Sequence, residues 1–170
     1  MPAHSASDRP GRAAGGPARS RRSRLLLPAA ALVAATPYGS GIDARRAAQA
    51  LELGLSQGGR PPSDLLSVDP VEALQEGLPG LLAGCGFDER LHQARALIIL
   101  AERLDPANLA GSVPFELATR ARQGGVPAWA VARTSLMGPF EQRILDLQAV
   151  LQARSTRALA AAGRRLAKLL

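Results

Sequence analysis

A glycine-rich turn is the first stretch of this sequence with a composition suited to ligand binding. Gly39, Ser40 and Gly41 follow an apolar run and precede an amphipathic helical pattern. Backbone N–H groups at the amino end of such a helix can hold a phosphate. The turn matches neither G-x-x-x-x-G-K-[ST] nor G-x-G-x-x-G, and it contains no lysine. A plain turn is therefore the favoured interpretation, and a phosphate-binding turn is the alternative.

Cysteine and histidine offer little further chemistry. The chain has one cysteine, Cys85, and two histidines, His4 and His92. A single cysteine excludes an internal disulfide and a cysteine-rich metal site. His4 lies in a segment that we predict to be disordered, and His92 lies on a predicted solvated helix face. We therefore expect no metal ligands and no histidine-based catalytic triad.

A second candidate site lies between two predicted strands. Residues 97–132 have the pattern of a strand, a helix and a second strand, with apolar runs at 97–100 and 126–132 and helical spacing over 113–123. Two parallel strands joined by a helix form a right-handed crossover. Ligands in such sheets bind at the carboxyl ends of the strands. Residues 101–112 are therefore where a site is expected.

The same kind of pattern extends over the rest of the chain. Apolar runs at 30–35 and 64–68 predict two more strands. Past Ala132 we predict no strand, because the periodicity of 140–151 is mixed. Further helices are predicted after a cap at Asp43 or Ser40, after Asp69 with Glu72, over 78–82, from Asp88, and from Ser155. The expected fold is a three-layer, Rossmann-like α/β domain with a small, mostly parallel sheet.

The net charge of +7 is concentrated at the amino end of the chain. Residues 1–24 hold six arginines and one aspartate, and their Pro, Gly, Ser and Ala content is typical of disorder. We predict a disordered basic tail over 1–24 and one domain over 25–170. The chain has one lysine, three phenylalanines, one tyrosine and one tryptophan. This composition does not favour a nucleic-acid partner.

An apolar run near the amino end permits two interpretations. Arg21, Arg22 and Arg24 precede the eleven apolar residues of 25–35, a pattern that resembles a secretory signal peptide. The run is too short to span a membrane, which needs about 20 residues. The favoured interpretation is that its second half forms the first buried strand. We therefore predict a cytoplasmic protein without membrane association, with export as the alternative.

Three segments of the sequence resemble bacterial glycerate kinases. Residues 94–132, ARALIILAERLDPANLAGSVPFELATRARQGGVPAWAVA, resemble the family segment A-D-L-V-I-T-G-E-G-R-L-D-x-Q-T-L-x-G-K-x-P-x-G-V-A-x-x-A with its continuation G-V-P-V-x-A-V-A-G. GFDERLHQA at 86–94 resembles G-L-D-E-R-L-x-x-A. ATPYGSGIDARRAAQALELGL at 35–55 resembles the opening A-P-D-S-F-K-G-S-L-S-A-x-E-A-A-x-A-I-x-x-G. The order of the segments agrees, and together they cover roughly residues 30–170.

The resemblance implies ATP-dependent phosphorylation of D-glycerate, with ATP and Mg²⁺ as cofactors. Arg103, Asp105 and Gly111 keep the family's letters. By this match, Arg103 pairs with a carboxylate or phosphate, and Asp105 accepts a hydroxyl proton or holds a metal-bound water. Substrate contacts are then expected from Arg103, Asn108, Gly111 and Ser112.

The departures from the family fall where phosphoryl transfer needs charge and close backbone approach. Residues 99–102 replace T-G-E-G, so the loop glycines are lost and the acid moves by one position to Glu102. The two family lysines are absent, one from the turn at Gly39 and one where Ser112 stands. The second lobe of the family is also missing. Since one lost preorganised donor typically lowers the rate about 10²- to 10³-fold, we expect weak or lost kinase activity.

Two alternatives remain beside a surviving enzyme. The first is a non-catalytic binding or regulatory domain derived from a glycerate kinase, which predicts an exposed apolar patch and self-association or a protein partner. The second is a degenerate gene product without a selected function. In both, Arg103 and Asp105 form an ion pair at the start of a helix.

Overall fold

A parallel sheet of five strands forms the middle layer of the computed structural model, which describes residues 31–39, 41–62, 64–68 and 77–170. The strands are β1 Leu32–Ala35, β2 Asp64–Ser67, β3 Leu97–Leu104, β4 Ala128–Ser135 and β5 Leu147–Gln152. They lie in the order β2-β1-β3-β4-β5, and every neighbouring pair is parallel. The predicted three-layer, Rossmann-like α/β class is confirmed.

Six α-helices and one short 3₁₀-helix accompany these strands within the described residues. They are α1 Ala44–Gln57, α2 Leu78–Gly84, α3 Phe87–Gln93, the 3₁₀-helix Pro106–Asn108, α4 Val113–Gln123, α5 Pro139–Ile144 and α6 Thr156–Leu166. Side chains of Asp43, Ser112 and Ser155 cap α1, α4 and α6 by accepting backbone N–H bonds. Among the described residues, no helix has the length and apolar character that a membrane crossing requires.

The two faces of the sheet are buried under different helices. Successive strand residues point to opposite faces, so Leu32 and Ile99 face α2, α3 and α4. Val33, Ile98 and Trp129 face α1 and α6 instead. Because both faces are covered there, β1, β3 and β4 begin with continuous apolar runs rather than with alternation.

Glycines allow α1 and α6 to pack with their backbones in close approach. A β carbon at Gly54 would collide with the Ala160 carbonyl group. A β carbon at Gly163 would collide with the Leu51 carbonyl oxygen and lie 2.8 Å from the Leu55 nitrogen. We name this contact the glycine seam, and it comprises Gly54 and Gly163. No side chain larger than hydrogen fits there without a shift of one helix.

The fifth strand was not predicted, and its pattern explains why. In β5 only Leu147 and Leu151 are buried, and a spacing of four residues is equally typical of a helix. Gln148 and Gln152 are exposed because β5 lies at the edge of the sheet. A register shift between Ala128 and Trp129 of the neighbouring strand further disturbs the alternation. The prediction of no strand past Ala132 was therefore wrong.

Smaller corrections concern where elements begin and end. β3 runs to Leu104 rather than to residue 100, because residues 101–104 contain no glycine to stop it. β4 begins at Ala128 rather than at residue 126 and extends to Ser135. Helix α3 is capped by Gly86, with φ of 64°, so Asp88 lies in its first turn and is not its cap. The predicted cap at Asp69 with Glu72, the alternative cap at Ser40 and the tail over 1–24 lie outside the described residues.

Candidate functional site

A crevice of about 600 Å³ opens at the carboxyl ends of β1 and β3. From β1 the chain goes outward to β2 and then returns across β1 to form β3, so the strand order reverses at this point. Such switch points are where open α/β sheets bind ligands. The volume is within the range of small-molecule sites, about 300–1,000 Å³. The position agrees with the site predicted at residues 101–112.

The unequal lengths of two strands create the crevice. β1 ends at Ala35, opposite Leu100 of β3. Thr36 then donates both its backbone N–H and its hydroxyl to the Leu100 carbonyl oxygen, at 3.0 and 2.9 Å. β3 continues to Leu104 and is paired there with β4, as shown by Arg103 opposite Thr134. Ala101, Glu102 and Arg103 of β3 therefore form one side of the crevice.

The amino end of α4 forms another wall of the crevice, with Gly111, Ser112 and Pro114 among the lining residues. Gly111 has a φ of 76°, which favours glycine over any residue with a β carbon. The Ser112 hydroxyl accepts the Phe115 N–H at 3.3 Å. The helix dipole makes this wall favourable for negative charge.

Arg103 and Asp105 form an ion pair at the mouth of the crevice. The Arg103 Nε and Nη2 groups donate to the same Asp105 oxygen, at 3.1 and 2.7 Å. The Arg103 side chain is 59% exposed, whereas that of Asp105 is 14% exposed. Arg103 lines the crevice, and Asp105 is not among its lining residues. The structure thus contains the ion pair that the non-catalytic alternatives predict.

Several donors converge on the Asp105 carboxylate. Its second oxygen accepts the Ala107 N–H at 3.1 Å and so caps the 3₁₀-helix. The hydrogen bonds from Arg103 and from the Ala107 amide hold the pKa of Asp105 below its ordinary value, and the Asn108 side chain adds to this. Asn108 is exposed and is not among the crevice residues. A carboxylate with a lowered pKa is a weaker general base.

The glycine turn after β1 lies beside the end of β3. Gly39 and Gly41 have φ of 73° and 78°. The carboxylate of Glu102 packs directly on Gly39, so that a β carbon there would collide with Oε1 and lie 3.0 Å from Oε2. Ser40, the middle residue of the predicted phosphate turn, lies outside the described residues.

Thr36, Glu102 and Leu78 are among the crevice residues that the sequence analysis did not name as site residues. Thr36 follows β1 directly, and the rule that ligands bind at carboxyl ends of strands pointed to its position. Glu102 was noted only as a departure from the family. Leu78 enters the crevice from α2, and no pattern in the sequence relates it to β3.

Tyr38 connects the turn after β1 to the end of β5. Its side chain is fully buried, and its hydroxyl donates to the Ala153 carbonyl oxygen at 2.8 Å. Burial raises the pKa of the phenol well above its ordinary value, and the positive charge of Arg133 opposes this shift. Tyr38 therefore ties together the carboxyl ends of strands on both sides of the crevice.

Cys85 and His92, which were considered for metal or redox chemistry, lie apart from the crevice. His92 is exposed on α3, with Nδ1 at 2.6 Å from the Asp88 carbonyl oxygen. The Cys85 thiol donates to the Leu82 carbonyl oxygen at 3.3 Å. Within the part of the chain that the structure describes, no three His, Cys, Asp or Glu side chains are grouped as a metal site requires.

No protein-family model and no curated protein matches this sequence. Three solved structures are similar in backbone. A pilus assembly-related protein from Burkholderia pseudomallei is 21% identical with a TM-score of 0.47, over 84% of this chain and 92% of that one. A diflavin flavoprotein from a Nostoc species is 16% identical with a TM-score of 0.48, over 82% and 91%. A 2-deoxyribosyltransferase from Bacillus psychrosaccharolyticus is 14% identical with a TM-score of 0.42, over 74% and 88%.

Proposed function

We propose that this domain derives from a glycerate kinase and that its crevice binds D-glycerate or a similar small hydroxy acid, with little or no phosphoryl transfer. One observation carries the proposal: Arg103, Gly111 and Ser112, which the family resemblance matches to substrate residues, line the same crevice. A guanidinium group beside the amino end of a helix suits a carboxylate.

The residues near the glycine turn do not fit the phosphates of ATP. The Glu102 carboxylate packs on Gly39, where a phosphate would have to approach the backbone. No lysine is present in the turn to offset this negative charge. We therefore derive no catalytic step from ATP or Mg²⁺, which enter only through the family resemblance.

The state of Asp105 also supports binding without turnover. Its carboxylate is engaged by Arg103 and by the Ala107 amide, and its pKa is lowered. A hydroxyl proton would therefore find a weak acceptor there. Arg103 has most of its side chain exposed, and it is already paired with Asp105. It therefore binds a ligand either while it keeps this pairing or after it has exchanged Asp105 for the ligand.

Replacing Arg103 by alanine should weaken D-glycerate binding about 10- to 100-fold, since a hydrogen bond to a charged group is worth roughly 1.5–3 kcal/mol. Isothermal titration calorimetry on the 170-residue chain measures the dissociation constant. Arg60→Ala is the matched control, because Arg60 is exposed beyond the other end of α1 and its loss should leave binding unchanged.

ADP release with MgATP and D-glycerate distinguishes binding from catalysis. We expect release at the background level for the wild type, Arg103→Ala and the Arg103→Ala, Asp105→Ala double variant. Turnover by the wild type that the double variant lacks would show that kinase activity survives. A folded wild type that binds no D-glycerate would rule out the binding function.

A second candidate function is protein interaction through the α5 patch, which we define as Leu136, Phe140 and Ile144. Their exposed fractions are 61%, 69% and 49%, which is high for large apolar side chains. Phe140 and Ile144 are four residues apart on α5 and so lie on the same helix face. An apolar group of this kind is the feature that the interaction alternative predicts. We therefore propose self-association through the α5 patch.

A Phe140→Ser, Ile144→Ser double variant should raise the concentration needed for self-association at least about tenfold, which corresponds to about 1.4 kcal/mol of lost contact. Sedimentation equilibrium gives the mass as a function of concentration. Leu53→Ser is the control, because Leu53 is 55% exposed but lies on α1. A wild type that stays monomeric at every concentration would contradict self-association.

A further inference from the structure

We propose that Glu102 determines which ligands the crevice accepts, by excluding phosphates and nucleotides while leaving the α4 wall open to a small carboxylate. The proposal rests on the proposed binding function and assigns its charge selectivity to one residue. Glu102 lines the crevice and at the same time contacts the turn after β1.

The first step of the argument is the position of the Glu102 carboxylate. Since β3 continues past Leu100, residue 102 is held on a strand rather than in a loop. From there its side chain reaches Gly39, whose missing β carbon leaves room for the carboxylate. Gly39 thus leaves the space that the Glu102 carboxylate occupies.

The second step is the charge of the crevice. Among the described residues, Glu102 and Arg103 are the two charged ones that line the crevice, and Asp105 lies outside the lining as the partner of Arg103. The guanidinium is bound to Asp105 through two nitrogens, so its charge is largely compensated. The negative charge of Glu102 therefore dominates the part of the crevice near Gly39, and a phosphate there meets like-charge repulsion.

The third step separates the two ends of the crevice. The α4 wall presents the amino end of an 11-residue helix, where a single carboxylate is favoured. A nucleotide carries several phosphates and cannot keep all of them away from Glu102. Small monoanions and polyphosphates are therefore distinguished by the same residue.

The test titrates inorganic phosphate and ADP into the wild type, Glu102→Gln and Glu102→Gly. Glu102→Gln removes the charge and keeps the size of the side chain, whereas Glu102→Gly also empties the space over Gly39. Dissociation constants come from calorimetry, with ³¹P NMR as an independent readout. Glu89→Gln is the control, because Glu89 is exposed on α3 and outside the crevice.

We expect phosphate and ADP to bind at least about tenfold more tightly to Glu102→Gln than to the wild type. Glu102→Gly should bind them at least as tightly as Glu102→Gln does. Glu89→Gln should match the wild type. Unchanged phosphate and ADP binding in both Glu102 variants, including no measurable binding, would overturn the proposal. D-Glycerate titrated into the same proteins tests the proposed function separately. If the wild type bound no D-glycerate, the proposed function would fail, but the comparison of phosphate and ADP binding between the variants would still be valid.

Discussion

Replacing Gly163 by alanine should lower the free energy of unfolding by about 3 kcal/mol, at the upper end of what an overpacked core typically costs. The new methyl group would collide with the Leu51 carbonyl oxygen and lie 2.8 Å from the Leu55 nitrogen. Both are backbone atoms inside α1, so they cannot rotate away as a side chain can. Relief requires α1 and α6 to separate, which loosens the buried contacts of Leu51, Leu55 and Leu159.

Urea denaturation followed by tryptophan fluorescence measures this effect. Trp129 is the single tryptophan and is 8% exposed between the sheet and the α1–α6 layer, so its emission reports on this region. Gly80→Ala is the matched control. Gly80 is also helical, but its β carbon would have no atom within 4 Å, and alanine should stabilise the protein by about 0.5–1 kcal/mol. A Gly163→Ala variant as stable as the wild type would show that the glycine seam is not tightly packed.

Removing the Tyr38 hydroxyl by Tyr38→Phe should destabilise the protein by about 1–3 kcal/mol, because the Ala153 carbonyl oxygen would lose its buried donor. The ring itself remains, so the apolar packing around it is preserved. The same urea titration measures the change. A loss below about 0.5 kcal/mol would indicate that water replaces the hydroxyl as donor.

The stability of the wild type should also fall at alkaline pH because of Tyr38. Burial raises the pKa of Tyr38 in the folded protein above the unfolded value of about 10, so the folded state favours the neutral phenol. The contribution of the neutral phenol to the free energy of unfolding is complete below pH 10. It is lost as the pH rises from there through the pKa of the folded state, at up to about 1.4 kcal/mol per pH unit. Tyr38→Phe should show a flatter dependence.

Tyr38 is the single tyrosine, so the ultraviolet absorbance of tyrosinate reports on it alone. We expect no tyrosinate absorbance from the folded wild type until unfolding begins. The tyrosinate absorbance and the change in tryptophan fluorescence that reports unfolding should then appear over the same pH range. Titration near pH 10 without unfolding would contradict the burial of Tyr38. Equal alkaline slopes for the wild type and Tyr38→Phe would assign the pH dependence to other groups.

The parts of the fold that follow from local chemistry were predictable. The start of α1 and both ends of α4 agree with the predicted helices, because Asp43 and Ser112 cap the two helices and a glycine follows α4. β5 was not predictable in the same way. Its two buried residues fit a helix as well as a strand, and only the neighbouring β4 decides between the two. An edge strand takes its structure from its partner.

The candidate site was also predictable where it depends on local sequence and unpredictable where it depends on long-range contacts. Its place at the carboxyl ends of β1 and β3 follows from parallel topology, and the segment containing Arg103, Gly111 and Ser112 could be named in advance. The contact of Glu102 with Gly39 could not, since it depends on how far β3 extends and on the register between two strands distant in sequence. Asn108 and Asp105 were assigned to the site by resemblance, and in the structure neither lines the crevice, while both take part in hydrogen bonds within the segment after β3.

The glycine seam constrains the order in which the protein folds. Gln57 at the end of α1 and Arg164 in α6 are 107 positions apart and are joined by a hydrogen bond of 2.8 Å. During synthesis α1 emerges early, and its apolar stripe remains without its partner until α6 has left the ribosome. Contacts of such long range slow folding, because the loop must close before they form. We therefore expect the apolar stripe of α1 to favour aggregation of the chain for as long as α6 has not packed against it.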